Sequence, residues 1–420
     1  MKKNWLTISL SFFAFVLPWQ IKLILRNGEI NGGQNNFLEI ALFAFGLAAL
    51  FFVFLAFRQM IIKKKWPEKN SKPNIFLLIF VLSLFFSIFF GADYSLSFSH
   101  FFYFFTGAAL LFFAQLFQKE INWRLVVKAF LFSCFLSALL GIFQFTIQEV
   151  PEIKYLVAPH QVSEYAGESV LENNGQRLLR AYGGFDHPNI FGGVMVIALL
   201  LIIDKLIKAK DRKEWLASVF IFIIFFWALL ISFSRAAWLA FAVTLLIYLF
   251  FNFRRNLVKI LLIFGLSAGL SMIFFGANSE WFSSRMSASG RLESISIEER
   301  WTGLKIASEK ITSQTFQPAG LGNYANFLLN KYSDLSAWQY QPVHNVWLLL
   351  SAETGFWSAI FLFLFCLSII FNHKKKSAIT ISLLAVLFVL SLFDHWLFSL
   401  PFGVLFSFFV LSLSFRETIL

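Results

Sequence analysis

The sequence has little charge and very little cysteine. Only 14% of its 420 residues are charged, whereas an average soluble domain carries about 25%. Because 58% of the residues are hydrophobic, 59 of them Phe, a soluble chain of this composition would lack the polar surface to cover its core. The 2 cysteines, Cys134 and Cys366, fall inside apolar runs and show no metal-ligand spacing. An ordinary soluble protein and a disulfide scaffold are therefore excluded.

Several catalytic motifs are also missing from the sequence. It contains no glycine-rich phosphate loop, no His-x-x-x-His pair and no Asp-x-Asp pair on a predicted outer loop. We therefore predict no cofactor and no metal, and a nucleotide-driven mechanism is disfavoured. The net charge of +12 would favour nucleic-acid binding in a soluble chain. Here the basic residues lie mainly in short loops between apolar runs, which indicates membrane topology and no nucleic-acid partner.

Apolar runs of about 17–25 residues, the length that crosses a bilayer, recur along the chain. They predict an all-α polytopic membrane protein of about 12 transmembrane helices, folded as a single integral membrane domain over residues 1–420. The basic start is followed by an apolar run with no small-residue cleavage site, which predicts an uncleaved first helix. The predicted spans are residues 4–25, 37–57, 74–90, 97–117, 125–147, 188–204, 216–233, 236–252, 260–277, 344–371, 377–393 and 397–414.

The distribution of lysine and arginine predicts the orientation of these spans. In the 12-span arrangement, 23 of the 35 basic residues lie on one face, in short connections and at the termini. The positive-inside rule then places both termini in the cytoplasm of a bacterial inner membrane. Two long connections remain on the outer, periplasmic face, at residues 148–187 and 278–343.

The larger outer loop, between spans nine and ten, is predicted to be partly helical. Ser296 and Glu299 match a capping box at the start of a helix. Pro318, Gly320 and Gly322 are expected to end the helical region and to force a turn. This helix would lie on the membrane surface or pack over the spans.

Three arginines and one histidine lie at the outer edges of the predicted spans, where the topology rule does not account for basic residues. They are Arg180, Arg235, Arg300 and His344. Guanidinium groups bind phosphate through a bidentate fork and keep their charge. A neutral imidazole at a helix N-terminus can act as a general base. Together the four residues favour a joint anion site.

A simpler interpretation is that each of these residues acts alone. A single outer arginine usually anchors a lipid headgroup or forms a salt bridge, and a single histidine at a helix start usually caps it. We assign this role to Arg285 and Arg291. The same interpretation covers His160, His187, His395 and Asp394.

The order of the polar motifs resembles that of the O-antigen ligase and O-antigen polymerase superfamily of bacterial envelope glycosyltransferases. The resemblance is strongest over residues 180–370, the predicted ligase/polymerase-like core. Its motifs are the segment from Arg180 to Asn189, the turn of Ser234 and Arg235, Arg300 and Trp301 followed by Gly320 and Gly322, and His344 and Asn345 followed by Glu353 and Gly355.

The resemblance implies a helical membrane glycosyltransferase of the C type. The donor would be a glycan on a polyprenyl pyrophosphate, normally undecaprenyl, and the acceptor a hydroxyl group on the outer face. By this analogy Arg235 and Arg300 would bind the pyrophosphate, Arg180 would assist them, and His344 would orient or deprotonate the acceptor. The reaction would need no metal. The supporting residues would be Asn189, Gly320, Gly322, Asn345 and Glu353.

The acceptor and the exact reaction stay open at this point. Lipid A core, a repeat unit, a protein and a teichoic-acid-like polymer are all compatible acceptors. A ligase, a polymerase and a protein O-oligosaccharyltransferase are therefore all compatible with the motifs. A transporter or flippase is the alternative from another class, and a non-catalytic scaffold is a third. Carriers usually place ionisable residues at the bilayer midplane, whereas the predicted spans here are nearly free of charge.

Overall fold

The computed structural model describes residues 4–66, 72–153, 160–165, 167–287, 291–313, 317–372 and 377–415, and it is mostly helical. The helices are α1 Trp5–Val16, α2 Ala44–Lys63, α3 Lys72–Ser87, α4 Tyr94–Leu116, α5 Trp123–Ile147, α6 Pro188–Lys208, α7 Arg212–Ile231, α8 Arg235–Ala277, α9 Ser279–Ser287, α10 Arg291–Ser313, α11 Tyr324–Lys331, α12 Val346–Thr354, α13 Phe356–Asn372, α14 Ala378–Phe393, α15 Trp396–Ser399 and α16 Pro401–Ser414.

Within the described residues, seven helical segments are long and apolar enough to cross a membrane. They are α2, α4, α5, α6, α7 and the two halves of α8, which are separated by a kink at Asn256. Five further apolar helices have only 10–17 residues. A mostly helical polytopic membrane protein is therefore confirmed, while the number of 12 spans stays a prediction.

Proline and glycine make several helices shorter than the apolar runs predicted. The predicted span 4–25 is wrong at its end, because α1 stops before Pro18, which supplies no backbone donor. The run 344–371 is broken at Gly355, whose φ of 87° no helix allows. The run 397–414 is broken before Pro401, where Leu400 is extended.

Eight short strands lie in the described parts of the connections, so the all-α prediction holds for the bundle only. They form four antiparallel pairs: β1 Lys22–Arg26 with β4 Ile40–Phe43, β2 Glu29–Ile30 with β3 Gly33–Gln34, β5 Glu149–Val150 with β6 Gln161–Val162, and β7 Val170–Asn173 with β8 Gln176–Leu179. Lys22 lies opposite Phe43, and Val170 lies opposite Leu179. The β1–β4 pairing also explains why α2 begins at Ala44, later than the predicted residue 37.

Helix α6 is the centre of the bundle. Nearly all its residues are buried, and it packs against α7, α8 and α14. Gly192 and Gly193 allow this close packing, because a Cβ atom at these positions would approach Ser232 and Trp396 to 2.7 and 2.8 Å. The N-terminus of α6 is thereby held beside the turn before α8 and the turn before α15.

The connection between α8 and α12 is largely helical, as predicted, but α10 starts at Arg291 and not at the capping box of Ser296. The far end of this connection is joined to the first connection of the chain. Asn31 donates to the carbonyl of Leu335 at 2.8 Å, and the buried Asn35 donates to those of Ala337 and Tyr340 at 2.8 and 3.0 Å. Two segments about 300 residues apart therefore form one surface over the bundle.

Candidate functional site

Arg180 is buried and bonded to protein on two sides. Its Nε atom donates to the carbonyl of Ser232 at 2.8 Å, and a terminal nitrogen donates to Asn189 Oδ1 at 2.7 Å. Burial lowers the pKa of this guanidinium, and the nearby charges of Arg285 and Arg300 lower it further. Arg180 is thus a fixed positive charge at the base of an arginine cluster, which we define as Arg180, Arg235, Arg285 and Arg300.

The buried carboxylate of Asp394 connects Arg180, through Asn189, to His344. Asn189, which is bonded to Arg180, donates through Nδ2 to Asp394 Oδ2 at 2.9 Å. Asp394 Oδ1 accepts from the His395 backbone at 2.8 Å and lies 3.5 Å from His344 Nδ1. That last distance suits an ion pair but not a good hydrogen bond. Burial by itself raises the pKa of the Asp394 carboxyl, but the His344 ring holds that pKa well below its usual value.

Two further histidines lie around this carboxylate. His187 caps α6, because its Nδ1 accepts from the Asn189 backbone at 3.0 Å, while its Nε2 contacts Ser169 Oγ at 2.9 Å. His395 Nδ1 contacts Ser399 Oγ at 2.7 Å. Burial lowers the pKa of each of these two rings to about 3. Both rings are therefore neutral at physiological pH.

Arg235 lies at the start of α8, where Ser234 caps the helix. Its guanidinium is 2.5 Å from Glu293 Oε1 and also donates to the carbonyl of Arg285 at 3.3 Å. The second oxygen of Glu293 is paired with Arg285. One buried carboxylate on α10 thus bridges two arginines, in the position that an anionic ligand of the cluster would take.

Arg300 is the arginine of the cluster with the least protein bonding. Its Nε atom is buried and has no hydrogen-bond partner in the part of the chain that the structure describes. It lies near Arg285 and His395, since its charge lowers the pKa of each of them. Ala307, two turns further along α10, is fully buried against the bundle, whereas Trp301 is exposed. The packing of α10 therefore brings Arg300 to the cluster.

The predicted Gly-x-Gly turn and Glu353 form one structural unit. The Glu353 carboxylate accepts from the backbone of Gly322 at 2.8 Å and of Tyr324 at 3.2 Å, and its backbone carbonyl accepts from Gly320 at 2.9 Å. Both glycines have positive φ, of 89° and 73°. These three supporting residues anchor the end of the α10–α11 connection to α12.

Replacing Gly320 with alanine is expected to destabilise the protein. The new Cβ would lie 2.2 Å from the Cα of Gly91, so overpacking of about 1–3 kcal/mol adds to the strain of the positive φ. The thermal unfolding midpoint of the purified protein measures the effect. Gly175→Ala is the matched control, because Gly175 also has positive φ, 80°, but nothing lies within 4 Å of its Cβ position. Equal midpoints of the two variants would contradict the packing argument.

Asn345, the residue after His344, holds the start of α12 in place. Its side chain accepts from the Leu348 backbone at 3.0 Å and so caps α12, and its Nδ2 donates to the carbonyl of Leu392 at 3.1 Å. Leu392 lies at the end of α14, two residues before Asp394. Asn345 thereby ties the start of α12 to the turn that carries the carboxylate.

His344 lies on the walls of two cavities. A polar cavity of about 1040 Å³ extends over Asp394, His395 and His187 toward the first connection of the chain. A more apolar cleft of about 440 Å³ runs along α10 and α11 and includes Ile295, Ile306 and Leu328. The imidazole can therefore contact ligands in either space.

His344, Asp394 and His395 also have the donor set of a metal site, with ligand atoms within 4.8 Å of one another. Two observations argue against a metal here. Both oxygens of Asp394 already accept hydrogen bonds. The nearby arginines also add positive charge, which disfavours a cation.

The structure thus brings Arg180, Arg235, Arg300 and His344 to one end of the bundle and adds four residues to them. The added residues are Arg285, Glu293, Asp394 and His395. For Arg285, Asp394 and His395 the sequence predicts only single anchors or caps, and it gives no prediction for Glu293. Arg285 and His395 carried a usable signal, because each is a basic or imidazole group on the predicted outer face. No signal in the sequence indicates that Glu293 pairs with Arg235 and Arg285. Arg291 is exposed and pairs with Glu172 at 3.0 Å, as the simpler interpretation predicts.

Comparison with protein-family models gives a match to part of the chain. Residues 220–363 match the family model described as O-antigen ligase, and this range includes Arg235, Arg285, Glu293, Arg300 and His344. No curated protein sequence matches the chain. The resemblance to the O-antigen ligase superfamily is therefore confirmed over residues 220–363 of this polytopic membrane protein.

Proposed function

We propose that this protein transfers a glycan from a polyprenyl pyrophosphate, normally undecaprenyl pyrophosphate, to an acceptor hydroxyl on the outer face of the bacterial inner membrane. The observation that carries the proposal is the arginine cluster beside the His344–Asp394 pair, inside the O-antigen ligase family region. Four guanidinium groups with one bridging carboxylate suit a ligand that bears two phosphates.

The arginine cluster would hold the pyrophosphate of the donor. Arg300 has an unpartnered Nε atom and is ready to bind. Arg235 and Arg285 share Glu293 in the unliganded protein, so a pyrophosphate would compete with that carboxylate for them. Arg180 stays bonded to Ser232 and Asn189 and contributes its positive charge from the buried base of the arginine cluster. As the bond to the anomeric carbon breaks, these groups stabilise the negative charge that grows on the leaving pyrophosphate.

His344 would act as the general base. Its Nδ1 faces Asp394, which leaves Nε2 for the acceptor hydroxyl. The proton passes to Nε2 as the hydroxyl oxygen attacks the anomeric carbon, and the Asp394 carboxylate stabilises the imidazolium that forms. The new glycosidic bond forms as the bond to pyrophosphate breaks. The apolar cleft along α10 would accommodate part of the prenyl chain.

The direct test is a transfer assay with the purified chain in liposomes. The donor is an undecaprenyl-pyrophosphate glycan from a strain that lacks the protein, and products are identified by mass. Transfer to a hydroxyl acceptor with release of undecaprenyl pyrophosphate supports the proposal. Movement of labelled lipid across the bilayer without transfer would identify a flippase instead. In the deletion strain, polymer left on the carrier lipid indicates a ligase, and single repeats on the product indicate a polymerase.

Chelation is expected to leave this activity unchanged. Both carboxylate oxygens of Asp394 accept hydrogen bonds within the protein, and the proposed steps need no Lewis acid. The measurement is the transfer rate before and after dialysis against EDTA, with added Zn²⁺ or Mg²⁺ as the control. Loss of activity on dialysis and its recovery with a metal would assign His344, Asp394 and His395 as a metal site.

A further inference from the structure

The polar cavity beside His344 has walls from three distant parts of the chain. Its volume of about 1040 Å³ lies at the upper end of the usual range for ligand cavities, about 300–1,000 Å³. Residues from the first connection, such as Gln20 and Glu39, form one side. Glu168 and Asp186, from the connection before α6, form another, and His344 closes the third. This space is separate from the ion pairs of the arginine cluster.

The cavity is acidic in a chain whose net charge is +12. It is lined by one lysine, Lys22, which is paired with Glu39 at 2.7 Å, and by the carboxylates of Glu39, Glu152, Glu168, Asp186 and Asp394. The Asp186 carboxylate has no hydrogen-bond partner among the described residues. Burial raises the pKa of both Asp186 and Glu168. This shift opposes ionisation of the two carboxyl groups. The walls therefore offer acceptor oxygens, and it is the ionised carboxylates among them that repel anions.

Two buried donors in the same walls lack partners. The Nε2 atom of Gln20 and the Nε1 atom of Trp396 are buried and make no hydrogen bond within the described residues. Their side chains are only 8% and 2% exposed. Buried donors are almost always paired in folded proteins, so these two atoms are available to acceptors that a ligand in the cavity would bring. Trp338 adds an exposed aromatic surface at the cavity edge.

We propose that this cavity binds an uncharged, hydroxyl-rich saccharide, the end of the acceptor glycan, and rejects anionic ones. Each sugar hydroxyl both donates and accepts, which matches carboxylates such as Asp186 and Glu168 on one side and the donors of Gln20 and Trp396 on the other. A chain of phosphates or uronic acids would meet like charge. The inference rests on the proposed function and narrows its acceptor, because it excludes a teichoic-acid-like polymer.

The test begins with binding, which does not depend on turnover. The full chain in detergent is titrated with a panel of neutral oligosaccharides, with matched uronic-acid oligosaccharides and with farnesyl pyrophosphate. Neutral members of the panel are expected to bind, and the uronic acids are not. Asp186→Asn and Gln20→Ala are each expected to weaken neutral binding about tenfold, the effect of one hydrogen bond. Glu164→Gln is the control, because Glu164 is exposed on the same connection and does not line the cavity.

Charge selectivity separates a binding role from a structural one. The double variant Glu168→Gln, Asp186→Asn is expected to gain affinity for the uronic acids, which a folding defect would not produce. In the transfer assay, Asp186→Asn should raise the KM for acceptor and leave that for donor unchanged. A raised donor KM would instead place the donor glycan in this cavity and overturn the assignment.

The two proposals fail in different ways. If farnesyl pyrophosphate binds and no oligosaccharide does, or if uronic acids bind as well as neutral sugars, the saccharide inference is overturned and the pyrophosphate site stands. If neutral sugars bind and farnesyl pyrophosphate does not, the proposed function fails and the cavity assignment stands.

Discussion

Replacing His344 with glutamine is expected to lower the rate of glycan transfer by about 10²–10⁴-fold, the usual contribution of a general base. Glutamine keeps a polar side chain at the start of α12 but cannot take the acceptor proton. Because His344 lies outside the arginine cluster, the variant should still bind farnesyl pyrophosphate normally. The measurement is kcat in liposomes at matched protein levels.

The controls for this variant are a distant histidine and the neighbouring carboxylate. His160 is exposed and pairs with Glu149 at 2.9 Å, so His160→Gln should transfer at the wild-type rate. Asp394→Asn should lower kcat without changing the KM for donor, because Asp394 acts on the imidazole and not on the pyrophosphate. A His344→Gln variant with a rate within about twofold of wild type would remove the base role.

Replacing Arg300 with lysine is expected to lower transfer by about 10²–10³-fold, which is typical of the loss of one group that stabilises developing charge. Lysine keeps the positive charge but loses the planar fork that binds two phosphate oxygens. Arg235 and Arg285 are paired with Glu293, whereas Arg300 forms no ion pair within the described residues, so this position has the most to contribute to a ligand. Both transfer rate and farnesyl pyrophosphate affinity should fall.

Two other arginines make this prediction specific. Arg291 begins the same helix but is exposed and pairs with Glu172, so Arg291→Lys should leave both quantities unchanged. Arg235 is already held by Glu293 at 2.5 Å, and a lysine there can keep that ion pair. Arg235→Lys should therefore cost less than Arg300→Lys. The reverse order would mean that Arg235, and not Arg300, makes the principal contact with the pyrophosphate.

Much of the helical framework was predictable because apolar run length is a local property of the sequence. The errors fall at Pro18, Gly355 and Pro401, where a helix-breaking residue lies inside a run long enough to span a bilayer. The length of an apolar run predicts a span, but a proline or glycine inside the run ends the helix there. The short strands were missed for another reason, since strands such as Lys22–Arg26 form only when Ile40–Phe43 returns to pair with them.

The residues of the candidate site were predictable only in part. Arg180, Arg235, Arg300 and His344 stood out individually, because a basic or imidazole group on the predicted outer face needs a reason. The residues that these four contact did not stand out in the sequence. Asp394 contacts Asn189 across 205 positions of the chain, and nothing in its own neighbourhood indicates that contact.

The sequence by itself determined the class of the molecule, the approximate helices, the four polar positions and the resemblance to the O-antigen ligase superfamily, since composition, periodicity and ordered motifs are properties of the chain. Only the tertiary structure decided that Glu293 bridges Arg235 and Arg285, that Asp394 lies beside His344, and that an acidic cavity opens next to that histidine. The physical reason is that ion pairs and cavities depend on the distance between side chains, and helix packing alone brings residues so far apart in the chain within a few ångströms.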